Sequence, residues 1–256
     1  MSDPADDFYV GYLPNAPAPV AARLRRAVLA SFAAVAALAL VLVAGQRRLD
    51  GRLFEFGQVR EYGGVLELEP QPTLLVSRPG VGAGVSRWLL VGPGKHGARE
   101  LVAGLDGEAV RLRGELVSRG SETMLQLEPG SVRRDDAAAH AAAVQALGVL
   151  TLRGEIVDSK CHFGVMNPGE GKAHRDCAVR CISGGSPALL RVRDTAGDAR
   201  YFLLLGPDGK ALGRELLDFV AEPVEMRGAV ERHDGVYVLR TDPSAIRRLT
   251  GAGGAP

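Results

Sequence analysis

All three cysteines of the chain, Cys161, Cys177 and Cys181, and two of its five histidines, His162 and His174, fall within residues 154–187. Thiolates and imidazoles bind soft and borderline transition metals, and a closed set of three Cys and one His suits zinc, copper(I) or an iron centre. Residues 172–182 contain no glycine or proline after Gly171 and can form a helix. His174, Cys177 and Cys181 would then recur on one helix face. Cys161 and His162 follow the strand-like run 152–157, and the turn signal Asn167-Pro168-Gly169-Glu170-Gly171 can fold the chain back onto that face. The expected cluster is Cys161, His174, Cys177 and Cys181, with His162 as a further ligand and Met166 able to add a thioether to copper. Gly184-Gly185-Ser186-Pro187 ends the helix and starts a new strand.

Three chemistries compete for this segment. A metal site is the first, although the cysteine spacing fits no zinc-finger signature and no C-x-x-C-H haem attachment motif is present. A disulfide from Cys161 to Cys177 or Cys181 is the second, with one thiol left over. A cysteine nucleophile served by His162 or His174 is the third, but no oxyanion element or third triad member can be named. The chain therefore reads as non-catalytic.

The elements that position the segment are short and β-rich. Thirty-three glycines and 15 prolines punctuate the chain, which favours many turns between strands. Net charge is +1 with 5% aromatic residues, so neither the basic surface nor the stacking platform of a nucleic-acid binder is present. Strand candidates in residues 52–134 recur in residues 149–250 at a near-constant offset. Trp88-Leu89-Leu90-Val91-Gly92-Pro93 answers to Phe202-Leu203-Leu204-Leu205-Gly206-Pro207, Arg99-Glu100-Leu101 to Arg214-Glu215-Leu216, and Arg113-Gly114 to Arg227-Gly228. Such regularity predicts two copies of one small OB-like β-barrel. Residues 135–148, rich in alanine between Asp135 and Gly148, predict a linker helix, and residues 251–256 form a tail. The second copy carries an insertion of about two dozen residues, 159–186, between its first two strands, and long insertions in small domains are commonly functional. Because the first copy lacks it, the barrel core is expected to form without it. The loop Gly92-Pro93-Gly94-Lys95-His96-Gly97 lacks a phosphate-binding pattern and reads as a scaffold turn. Trp88 and Phe202 read as core residues.

Residues 27–45 contain no charge or proline and span roughly 28 Å as a helix, the thickness of a bilayer core. They predict a retained transmembrane helix, preceded by an extended arm at residues 1–26. Arginines flank both ends, so charge does not set the orientation.

The segments GEIVDSKC, GVMNPGEGKAHRDCA and CISGG, together with FYVGYLP near the start and FEFG at residues 54–57, resemble those of a bacterial family of single-pass, membrane-anchored proteins without an established activity. The resemblance covers most of the chain. It implies an inner-membrane protein with its C-terminal modules in the periplasm, and it supports Cys161, His174, Cys177 and Cys181 as a family motif. Separately, the ligand-type cluster, its helical convergence and an anchored chain without a recognisable catalytic set lead to the expectation of an accessory role in a respiratory or other envelope redox complex.

Overall fold

A computed structural model describes residues 16–46, 51–77, 84–136 and 144–249. The chain divides into two units, residues 1–50 and residues 51–256. In the first, helix α1 (Ala18–Gln46) contains a span, Ala18–Ala44, long and apolar enough to cross a membrane. The helix starts earlier than the expected anchor, so the end of the supposed extended arm is helical. Pro19 is compatible with this because the first turn needs no donor there, and the Pro17 carbonyl accepts the Ala21 N–H at 2.9 Å. Residues 1–15, with the aromatic part of the arm, lie outside the described residues.

The second unit contains two closed five-stranded barrels. The first is built from β2 (Arg60–Glu67), β3 (Thr73–Ser77), β4 (Val85–Val91), β5 (Ala109–Arg119) and β6 (Glu122–Leu127), with β1 (Arg52–Phe54) and β7 (Arg133–Arg134) added to β5. The ring closes in the order β2-β3-β4-β6-β5, with β4 and β6 parallel and the other pairs antiparallel. The second barrel uses β8 (Gln145–Asp158), β9 (Ala188–Arg193), β10 (Ala199–Leu205), β11 (Pro223–His233) and β12 (Val236–Thr241), and β13 (Arg247–Arg248) adds to β11. Its order, β8-β9-β10-β12-β11, again has one parallel pair, β10 with β12. A 3-10 segment lies between the third and fourth strands of each, at Arg99–Val102 and Arg214–Phe219. This is the expected OB-like arrangement.

The expected linker helix is not fully realised. Gln145–Gly148 already belong to β8, where Gln145 pairs with Arg232 and Gly148 with Val230, so strand pairing overrides the local alanine-rich preference. Residues 137–143, like the tail at 251–256, lie outside the described residues. The turn joining β11 and β12 is Asp234-Gly235, an Asp-Gly pair with positive φ at both residues, 48° and 97°, as a type I′ turn requires.

Strand periodicity explains how the barrels meet. Leu90 of β4 faces the first barrel's core beside Leu66, Leu74 and Leu125, whereas its neighbours Leu89 and Val91 point the other way. On β10, Phe202 and Leu204 face the second core, and Tyr201, Leu203 and Leu205 point outward. These outward sets join Val117, Met124, Val157, Phe163, Leu189 and Val238 in one apolar cluster between the barrels. Leu89-Leu90-Val91 and the run YFLLL are apolar on both faces because both faces are covered. Phe202 is core, as expected. Trp88 is half-buried and stacks edge-on against Tyr62 at 5.4 Å.

Candidate metal centre

Strand β8 ends in the buried Asp158, whose carboxylate starts the insertion. Its Oδ1 accepts the Cys161 N–H at 2.9 Å where the π-helical turn Cys161–Val165 begins. The chain then turns through a cis Asn167–Pro168 bond and Gly171, φ 73°. It forms a 3-10 turn at Lys172–His174 and helix α2 at Arg175–Ser183. Gly185 has a φ of 94°, and the Ser186 N–H returns to the Cys181 carbonyl at 2.9 Å. This six-to-one bond with a left-handed glycine is the helix stop expected from Gly184-Gly185.

The fold-back brings the three sulfurs together. Cys161 Sγ lies 3.9 Å from Cys177 Sγ and 3.8 Å from Cys181 Sγ, and all three lie within 4.3 Å of one another. The thiols are not joined by a disulfide, since an S–S bond would be about 2.05 Å. Sulfurs bound to one ion at about 2.3 Å stand about 3.8 Å apart in a tetrahedron and about 4.0 Å apart in a trigonal plane. The observed spacing therefore matches a metal-thiolate set. Cys161 and Cys181 are buried and Cys177 is half-buried. The thiol of Cys161 is held well above the ordinary range by its hydrogen bond to Cys181, by burial and by Asp158. The same bond holds Cys181 below its ordinary value against the opposing effect of burial.

His174 reaches the site by a different contact. Its Nε2 lies 3.1 Å from Asp158 Oδ2, and with Asp158 and Cys161 it makes a second group of closely spaced ligand atoms. Among the described residues this group shares Cys161 with the three-sulfur set but does not merge with it. Met166 is 44% exposed, at the surface rather than with the buried thiols.

His162 belongs to another network. Its ring is fully buried, with Arg119 Nη1 2.6 Å from Nε2 and Glu170 Oε2 3.1 Å from Nδ1. This pattern suits a neutral ring that accepts at Nε2 and donates from Nδ1. Burial first, then Arg119 and Arg191, push its pKa down against the pull of Glu170. Glu170 also lies 2.9 Å from Arg191 Nη1, 3.3 Å from Arg193 Nη2, 3.6 Å from Arg119 Nη1 and 3.8 Å from Arg52 Nη2. Burial opposes the charge of its carboxylate, but His162, Arg191 and Arg119 outweigh burial and hold the carboxyl well below its usual range. The expected extra ligand is thus part of an ion-pair clamp joining the insertion to both barrels.

The loop read as scaffold contributes directly. It forms the expected turn, closed by Gly92 N–H to the His96 carbonyl at 2.9 Å, but it also places Lys95 Nζ 2.7 Å from Cys177 Sγ and 3.8 Å from Cys181 Sγ. The hydrogen bond to Cys177 raises the Lys95 pKa, with burial working against it. Lys160, 2% exposed, donates to the carbonyls of Gly92 and Gly94 at 2.7 and 2.8 Å, and burial pulls its pKa down. Gly97 N–H donates to the Gly184 carbonyl at 2.8 Å. A Cβ on Gly184 would lie 1.9 Å from the Lys95 carbonyl oxygen, and one on Gly97 would lie 2.3 Å from that of Gly185. Glycine at both positions is what lets the turn of one barrel touch the insertion of the other.

Asp158, Lys95 and Lys160 are the site residues that sequence reasoning missed. Asp158 had a local signal, an Asp three residues before Cys161 at the start of a helical turn. Lys95 had none, because its proximity depends on the docking of two barrels. No family model matches the chain, and no curated protein is significantly similar to it.

Proposed function

We propose that this protein is a membrane-anchored metal-binding accessory factor whose barrel pair holds a soft transition metal outside the cytoplasm. The observation that carries the reading is the convergence of Cys161, Cys177 and Cys181 to metal-thiolate spacing without a disulfide. Residues 27–45 act as the core of the anchor, and the inner membrane with periplasmic barrels is the placement that the family resemblance supports. An envelope redox complex is the partner that suits a delivery or holding role. His174 braces Asp158 and Cys161 and is the fourth ligand available to a tetrahedral ion if its ring shifts. A catalytic cysteine is less well supported, since among the described residues His174 Nε2 faces Asp158, His162 faces Arg119 and Glu170, and neither imidazole is hydrogen-bonded to a thiol.

The full chain, purified in detergent from an oxidising compartment, is expected to carry about one metal ion. Cys177→Ser and Cys181→Ser should each remove most of it, because a set missing one thiolate loses much of its affinity. Absence of metal together with a mapped Cys161 disulfide would replace this reading with a structural one. A reporter fused at the C-terminus that is active only in the cytoplasm would overturn the placement.

A further inference from the structure

We propose that the three-sulfur site is selective for a monovalent thiophilic cation, copper(I), bound by Cys161, Cys177 and Cys181 alone, with Lys95 as a cation facing the complex from the first barrel. This deepens the metal-binding reading and rests on it. Two features point to three ligands. The sulfurs form a complete set, while Asp158 and His174 hold each other at 3.1 Å and the other Asp158 oxygen is taken by the Cys161 N–H. Recruiting either as a fourth ligand breaks a buried polar pair. Lys95 Nζ stands 2.7 and 3.8 Å from two of the sulfurs, and an ammonium has no lone pair to donate to a metal.

The Lys95 ammonium offsets one of the two negative charges that three thiolates leave around a monovalent ion; three thiolates around zinc(II) would leave only one, so ligand number rather than charge separates the two metals. Zinc(II) prefers four ligands, and a structural zinc site closes its tetrahedron with protein groups. Copper(I) is favoured by soft thiolates and is satisfied by three. Lys95 is partly buried, and the backbone of its turn is braced by the Lys160 contacts to Gly92 and Gly94.

The test uses the reduced full chain in detergent under anaerobic conditions. Copper(I) is titrated against a chromophoric copper(I) chelator, zinc(II) against a zinc chelator, and X-ray absorption reads the shell of each bound metal. The expected result is one copper(I) per chain with a three-sulfur shell, retained when equimolar zinc is added. Lys95→Gln should lower copper(I) affinity about tenfold or more, as changes beside a metal site do, while the three-sulfur shell persists. His174→Gln should leave the copper(I) shell at three sulfurs in X-ray absorption, because its ring pairs with Asp158 and is not a ligand. A nitrogen in the copper shell, zinc displacing copper, or unchanged affinity in the Lys95→Gln variant would overturn this inference and leave the metal-binding reading intact. Failure of both metals to bind would overturn both.

Discussion

The two barrels share one strand order and differ most at one connection. In the first, β2 passes to β3 through residues 68–72; in the second, β8 passes to β9 through residues 159–187. The equivalent turns also part company. Lys210 is 81% exposed in its side chain and pairs with Asp208 at 3.9 Å, whereas Lys95 is directed at two thiols. The difference shows that the site is a property of the pair. One barrel supplies the cysteines, its neighbour supplies the cation, and the glycine contacts between the two loops set the register.

The sharpest way to break the comparison is to make the second barrel look like the first. Replacing residues 159–186 by a short glycine bridge is expected to abolish cooperative unfolding of residues 51–249, contrary to the expectation from the sequence. Ala178 and Ile182 of α2 are in the second barrel's core, and Phe163 is in the cluster between the barrels. Truncating Phe163 to alanine alone should cost about 3–5 kcal/mol. Retention of a single sharp thermal transition in the deletion would show that the insertion is an appendage.

A smaller effect is expected at the clamp. Glu170→Gln removes the carboxylate shared by His162 and several arginines and should cost about 3 kcal/mol near neutral pH, as breaking a buried ion pair does. The sign with pH follows from the direction of the shift. The folded pKa of Glu170 lies below its unfolded value, so its contribution is complete above the unfolded value, about 4.3, and is lost as pH falls toward the folded one. Chemical denaturation between neutral pH and pH 3 should therefore show a shallower acid loss in Glu170→Gln than in the parent. Parallel curves would mean that the clamp does not contribute to stability.

The barrels were legible because their strands, turns and stops are local signals repeated along the chain: the glycine at 185, the Asp234-Gly235 hairpin and the double-sided apolar runs each fix structure near themselves. The thiol convergence was legible for the same reason, since helix spacing and one turn signal determine it. The partners of those thiols were not. His162 and His174 look alike in sequence, yet the first is drawn into an arginine cluster from both barrels and the second onto Asp158, a choice made by tertiary contacts. The alanine-rich stretch misled at Gln145–Gly148 because pairing with β11 was invisible locally. Lys95 was hidden by its own plausibility as a turn residue.

The finest distinction within the site is among the thiols themselves, and alkylation of the metal-free, reduced chain resolves it. Two properties compete. Ionisation favours Cys181, whose pKa is held down by the hydrogen bond from Cys161, while that bond and burial keep Cys161 protonated. Access favours Cys177, because Cys161 is 4% and Cys181 1% exposed while Cys177 is half-buried. A reagent must reach the sulfur before ionisation matters, so Cys177 should be modified first, with the two buried thiols following only as the site opens. Mass mapping of the singly labelled product reads the order directly. First labelling at Cys181 would show that the cluster opens readily and that hydrogen bonding, rather than packing against the first barrel, governs its reactivity.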